Sequence, residues 1–191
     1  GYSVEYSQYP EAQHPEALLE CVKVYQGLLD QGYLSENIYL YGESAGAMLC
    51  LSVSHYLRDN GIPMPGKICV YAPAVNIQDN YDSRHLRDHR DPVIISNVNE
   101  QLSGYFPERF DRTDPYISAI YGDFDKFPPI RINVGSEEVL FDDSVELYTK
   151  CKEAGVNVEL KIWENLFHVF TMFPTPESEK ALKEDADFFN K

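Results

Sequence analysis

Positive charge is scarce in this chain of 191 residues: 16 Lys and Arg stand against 31 Asp and Glu, a formal net charge of −15. The pI of about 4.6 describes a surface that repels a phosphate backbone, which excludes nucleic acid as an expected partner. Long apolar runs are also missing. None approaches the ~20 residues that a membrane-spanning helix needs, and the opening "GYSVEYSQYP" reads as a strand rather than a targeting segment. Cysteine is sparse. Cys21, Cys50, Cys69 and Cys151 form no C-x-x-C pair, and the first three each adjoin an apolar residue. That usage fits buried, reduced thiols in a cytoplasmic protein rather than a disulfide framework or a zinc ribbon. What the chain does have is apolar bulk: hydrophobic residues make up 43%, enough for one domain with a sizeable core.

The apolar residues are patterned. "SVEY" (3–6) reads as a short strand. Leu18, Cys21, Val22, Tyr25, Leu28 and Leu29 then recur at helical spacing, with Pro15 suited to the first turn and Gly32 to the stop. "NIYLY" (37–41) and "KICVYAP" (67–73) read as buried strands, and the helix between them closes at Gly61. From Ala74 to about Lys126 the pattern gives way to a polar, aromatic insertion of short helices and loops. Order returns with the strand "PIRINVG", the helix "DDSVELYTKCKEAG", the alternating strand "VNVELKIW" and a last helix with Thr175 as cap and Pro176 in its first turn. Alternating strands and helices of this kind predict an α/β fold: a mostly parallel sheet with helices on both faces.

In such a sheet, ligands bind beyond the carboxyl ends of the strands. Ser44 stands there, in "YLYGESAGAMLCLS", where a strand turns into a helix. Gly42 and Gly46 flank it at two residues on each side, removing side chains that would collide in a tight turn. The turn lifts the hydroxyl above the sheet, and the N–H of Ala45 at the helix N-terminus lies near any oxyanion formed on attack. G-x-S-x-G is a weak pattern alone; the strand before it and the helix after it make it a nucleophile elbow. A serine nucleophile needs a base, and the base needs a carboxylate, in the chain order Ser, acid, His. Of five histidines, only His168 follows all the candidate acids, wrapped in the apolar "NLFHVF". His85 and His89 are four apart, a spacing that can bind zinc on a helix, but no further ligands cluster with them. "NVGSEEVLFDDS" offers Glu137, Glu138, Asp142 and Asp143 as acids. Glu138 lies nearest the strand end; Asp142 and Asp143 suit the cap of the following helix.

Taken together, "VEYSQYPEAQHPEALLECVKVYQGLL", "GESAG" and the stretch from "DPYISAIYGDF" to "NLFHVF" resemble the hormone-sensitive-lipase-like branch of the α/β-hydrolases, nearly end to end. The resemblance implies Ser44 as nucleophile and His168 as base. The family usually carries Asp-Pro-Leu-x-Asp at the acid position. Here "EVLFD" occupies it, with Val139 for the proline. Glu138 thus replaces the usual aspartate and Asp142 matches the second acid, so the acid is Glu138 by preference with Asp142 as the alternative.

The resemblance also implies what is missing. The family's His-Gly-Gly-Gly motif, whose N–H groups complete the oxyanion hole, precedes the strand with which this chain begins, and no such motif occurs here. The chain is thus expected to be the C-terminal portion (1–191) of one α/β-hydrolase domain. Its first three strands would be absent, and a partial cap would span about 74–126. The family's third strand lies between the strand expected at Ser3 and the one ending at Tyr41. Its loss leaves backbone groups on both without partners, so self-association or complementation by the missing segment is expected. The implied function is hydrolysis of short-chain carboxylic esters, small-molecule substrates, with no metal or organic cofactor. The alternative is a non-catalytic, hydrolase-like binding fragment.

Overall fold

The computed structural model describes residues 1–78, 81–94 and 104–191. Four strands, β1 (Tyr39–Glu43), β2 (Lys67–Tyr71), β3 (Ile130–Gly135) and β4 (Val158–Trp163), form one sheet in the order β1-β2-β3-β4. Every pairing is parallel, with Tyr41 opposite Cys69, Cys69 opposite Arg131 and Ile132 opposite Leu160. The helices α1 (Glu16–Asp30), α2 (Ala45–Asp59), α3 (Ser83–Leu86), α4 (Phe141–Glu153) and α5 (Pro176–Asn190) connect or flank these strands.

Strand alternation sorts the side chains into two layers. On one face Ile68, Val70, Ile130 and Ile132 pack with Leu51 of α2 and Leu147 of α4. Leu18, Val22 and Tyr25 of α1 extend that layer over Ile38 and against Val53 and Leu57 of α2. Each such fully buried aliphatic side chain contributes about 1.5–3 kcal/mol. On the other face Cys69, Tyr71 and Trp163 pack with Ala181 of α5. That second face is partly polar. Arg131 donates to Glu159 at 2.6 Å, Glu184 at 2.7 Å and Asp185 at 2.9 Å, and Tyr71 donates to Asp185 at 2.6 Å. These bonds fix the rotation of α5 on the sheet.

Helix ends follow the sequence. Gly32, Gly61 and Gly155 adopt φ of 91°, 64° and 76° just beyond α1, α2 and α4, a left-handed conformation that glycine enters without a Cβ penalty. Thr175 accepts the N–H of Ser178 at 3.2 Å and Pro176 opens α5. One expected element does not form: residues 3–6 are not a strand. A strand exists only against a hydrogen-bonded neighbour, and this segment stands away from β1, tied instead by Ser7, whose N–H and hydroxyl donate to Glu20 at 2.6 and 2.8 Å.

The insertion after β2 is held to the sheet by a buried ion pair. Asp143, at the start of α4, accepts the N–H groups of Val75 at 3.0 Å and Asn76 at 3.3 Å. It also accepts Arg84 Nε at 3.1 Å and Nη2 at 2.6 Å. Four donors on two oxygens favour the ionised carboxylate, against burial, which pushes its pKa up to about 6. Removing one member of a buried pair leaves the other charge desolvated. We expect Asp143→Ala to lower unfolding free energy by about 3–5 kcal/mol, read as a shift in urea midpoint, whereas Asp187→Ala on the exposed face of α5 should change it by less than about 0.5 kcal/mol.

Candidate active site

Ser44 occupies φ 52°, ψ −117° between β1 and α2, a strained conformation for a residue with a side chain. The turn is pinned from both sides: Ser44 N–H donates to Tyr71 O at 2.9 Å, and Ser44 O accepts Met48 N–H at 3.0 Å as the first carbonyl of α2. Gly42 makes the turn sterically feasible. A Cβ there would lie 2.4 Å from Gly46 O and 2.7 Å from Ala47 N. Gly46 differs from the sequence expectation: a Cβ at Gly46 would meet nothing within 4 Å. The turn itself therefore requires Gly42 but not Gly46.

The strand ends next along the sheet bring the acid and base loops together. His168 Nδ1 lies 2.8 Å from Glu138 Oε2, with both side chains almost completely buried. Glu138 Oε1 also accepts the N–H of Gly135. Burial pushes the Glu138 carboxyl above the usual carboxylate range, opposed by its bond to His168. Nδ1 donating to this carboxylate leaves Nε2 as the basic nitrogen of the neutral ring. The two loops are joined along their backbones: Glu137 N–H donates to Leu166 O at 3.0 Å and Ser136 N–H to Trp163 O at 2.9 Å. Asn165 N–H donates to Ser136 Oγ at 2.8 Å. Gly135 permits this approach, since a Cβ there would sit 2.2 Å from Leu166 O.

The other candidates lie elsewhere. Asp142 accepts Ser83 N–H at 2.8 Å at the head of α4. Glu137 pairs with Arg90 at 3.1 Å. His55 is a core histidine: its Nε2 faces Ala119 O at 3.1 Å, its ring packs on Phe124 and Phe127, and burial lowers its pKa to about 4. Among the described residues no group of three His, Cys, Asp or Glu could hold a metal ion, and no helix is long and apolar enough to cross a membrane. Asp91 went unremarked in the sequence. Buried, it accepts Val93 N–H at 3.0 Å and Ile94 N–H at 3.2 Å, and its other oxygen reaches Val139 N–H at 3.4 Å. It thereby fastens the insertion to the acid loop. A lone aspartate in a polar stretch carries no periodic signal that could have singled it out.

Beside Ala45 lies an apolar cavity of about 210 Å³, bounded by Ala17, Leu18, Met48, Leu49, Phe106 and Tyr116. It sits between the N-terminal turns of α1 and α2, roofed by the insertion. Gln13 Nε2 donates to Gly104 O at 2.8 Å, and His14 N–H donates to Tyr105 O at 3.3 Å, which hold that roof in place.

A parallel sheet, a serine at a strained strand-to-helix turn and a buried Glu–His pair at later strand ends define a hydrolase-type architecture. The chain belongs to the α/β-hydrolase fold family, whose model matches residues 2–172. It is 31% identical over 188 residues to an esterase of Acinetobacter venetianus, covering 97% of this chain and 62% of that one. It is also 31% identical over 183 residues to an acetyl-hydrolase of Streptomyces hygroscopicus, covering 95% and 61%. Among solved structures, an esterase/lipase from an uncultured bacterium superimposes with a TM-score of 0.92 at 34% identity, covering 97% of this chain and 63% of that one. An esterase of the bacterial hormone-sensitive lipase family gives 0.90 at 29%, covering 97% and 63%. The chain thus spans less than two thirds of the length of these relatives.

The two glycines of the elbow should separate experimentally. Gly42→Ala is expected to cost about 2–3 kcal/mol in urea unfolding, because the added methyl meets backbone that cannot yield. Gly46→Ala is expected to be neutral or to stabilise by up to about 1 kcal/mol through helix propensity.

Proposed function

We propose that this chain carries the catalytic centre of a carboxylic ester hydrolase working through Ser44, His168 and Glu138. The observation that carries the reading is the buried 2.8 Å contact between His168 Nδ1 and Glu138 on the strand ends beyond an elbow serine. Ser44 attacks the ester carbonyl while His168 Nε2 takes its proton. The Ala45 N–H, at the head of α2, steadies the oxyanion. Collapse expels the alcohol, protonated by His168, and water activated by the same nitrogen releases the acid and frees Ser44. Glu138 orients the ring and stabilises its charged form. Asp142 serves α4 and the insertion rather than the ring, because its carboxylate is engaged by Ser83.

The esterase and acetyl-hydrolase names of the relatives support an ester substrate. The cavity beside Ala45 supports a short acyl group: its volume of about 210 Å³ compares with an apolar cavity of about 150 Å³ that holds one benzene. The insertion over 74–126, outside its undescribed residues, acts as the cap that closes this pocket. Four free thiols, two of them buried, suit a reducing, cytoplasmic setting. The single backbone donor at Ala45, without the family's glycine motif, should leave the chain alone slower than a complete enzyme by roughly 10²–10³-fold, the effect of losing one oxyanion donor.

A fluorophosphonate probe reports serine activation without demanding full turnover. We expect stoichiometric labelling that vanishes in Ser44→Ala. Glu138→Gln should slow labelling by roughly 10²–10⁴-fold, since the ring loses its charge support and tautomer control, and Asp142→Asn should be much milder. Labelling that survives Ser44→Ala, or the opposite ranking of the two carboxylates, would remove the assignment.

A further inference from the structure

The cavity beside Ala45 is lined by two kinds of residue. Helices α1 and α2 supply aliphatic side chains, Leu18 and Met48 among them. The segment before α1 and the insertion supply Tyr6, Gln8, His14 and Tyr105, each ending in a group that can both donate and accept a hydrogen bond. Among the described residues no Lys, Arg, Asp or Glu lines it. An apolar pocket with a few polar tips is the usual form of a small-molecule site, the tips fixing orientation and specificity.

These tips are held in place but left unpaired. The ring of His14 stands 5.6 Å from that of Phe106 and 5.4 Å from that of Phe110. The bonds from Gln13 and His14 to Gly104 and Tyr105 fix the backbone beneath it. Among the described residues no group hydrogen-bonds to the ring of His14, the side-chain amide of Gln8 or the hydroxyls of Tyr6 and Tyr105. Tyr116 differs: its hydroxyl donates to Asp59 at 3.1 Å, so only its ring serves the cavity. Burial lowers the pKa of His14, opposed by Asp114, so near neutral pH the ring is uncharged, one nitrogen donating and the other accepting. Burial and the nearby Tyr105 raise the pKa of Tyr6, which stays a neutral hydroxyl. The cavity therefore offers hydrogen bonds without charge.

That lining discriminates between acyl groups. An alkyl group entering the cavity takes water from the polar tips and returns no partner. A carboxylate or an ammonium finds no opposite charge. A neutral group with its own hydroxyl, which donates and accepts, matches tips that do both. The volume of about 210 Å³, against about 150 Å³ for a cavity that holds one benzene, admits an acyl group of about six to eight non-hydrogen atoms.

We propose that this cavity selects esters of short hydroxy acids and that His14 is the specificity-determining residue, hydrogen-bonding the hydroxyl on the acyl chain. The proposal rests on the reading above in which the cavity receives the acyl group, and extends it from the size of that group to its chemistry.

The test reads binding, so that it does not depend on turnover. The full 191-residue chain carrying Ser44→Ala is titrated with ethyl β-hydroxybutyrate and with ethyl isovalerate, in which a methyl replaces the hydroxyl. Histidine ring nitrogen shifts are followed by NMR. Adding His14→Phe should reduce the affinity ratio of hydroxy to methyl ester by roughly five- to tenfold, the effect of losing one neutral hydrogen bond. His14→Gln, which keeps a donor and an acceptor, should retain most of that ratio. The ring nitrogens of His14 should shift far more with the hydroxy ester than with the methyl ester, a readout that needs no substitution at His14. An unchanged ratio in a folded His14→Phe chain overturns the proposal. Equal His14 shifts with the two esters, or binding of neither at millimolar concentration, overturns it as well. Fluorophosphonate labelling of the unsubstituted chain tells the two readings apart. Labelling at Ser44 with an unchanged ratio keeps the nucleophile and removes the hydroxy-acid preference; absent labelling removes the nucleophile, while the ratio still reports on His14.

Discussion

The backbone of Ser44 is held at φ 52°, and the packing of β1 against α2 depends on that one turn. A serine does not rest there by preference; the surrounding ladder imposes the conformation. The N–H of Ser44 is consumed by β2 and its carbonyl by α2, so neither group can relax the turn without breaking the sheet or unwinding the helix. Gly42 then lets the first turn of α2 close down on β1. The hydroxyl, the N–H of Ala45 and the head of α2 share one small volume because the strand and the helix cannot separate.

A second constraint acts through buried charge. Glu138, Asp143 and Asp91 are all almost fully buried, and all lie in or against the segment that follows β3. Each is satisfied differently. Asp143 meets a guanidinium and two amides, Asp91 meets amides only, and Glu138 meets one amide and the imidazole of His168. Burial raises both the Glu138 carboxyl and that of Asp143, the latter to about 6. What sets Glu138 apart is its partner: an imidazole, which can take up a proton, where Asp143 meets a guanidinium that stays charged and Asp91 meets only amides.

Much of this was legible from residue order. The four strands of the sheet came from short apolar runs, and the longer helices from their 3.6-residue spacing and terminal glycines. Ser44 was legible because its motif sat between a strand and a helix. Glu138 was favoured by its place near the strand end and by the family pattern, and its carboxylate lies 2.8 Å from His168 Nδ1. Other features were not legible for a common reason: they are long-range. Arg84 meets Asp143 across 59 residues and Asp91 meets Val139 across 48, and neither leaves a local pattern. Gly135 looked like a strand terminus, and only the approach of Leu166 O gives its missing side chain a purpose. Residues 3–6 carry strand-like composition, yet composition describes a residue's tolerance for the extended state and not the presence of a neighbour.

The contrast between Gly42 and Gly46 carries this further. Both glycines belong to one short motif, and the natural first expectation gives them the same task. The structure divides them. Gly42 answers to atoms inside the chain, and Gly46 answers to none. A position in the first turn of a helix with open space around its Cβ is one where alanine would be tolerated or would raise stability, so the glycine there has no steric reason inside the chain. The same region holds the edge strand β1, apolar side chains of α1 and α2 around an open pocket, and a strand-like segment that does not pair. Each of these is a cost to an isolated fold: unpaired backbone, unburied apolar surface and a needless glycine. They share a place in the structure, the far edge of β1 and the head of α2 beside it.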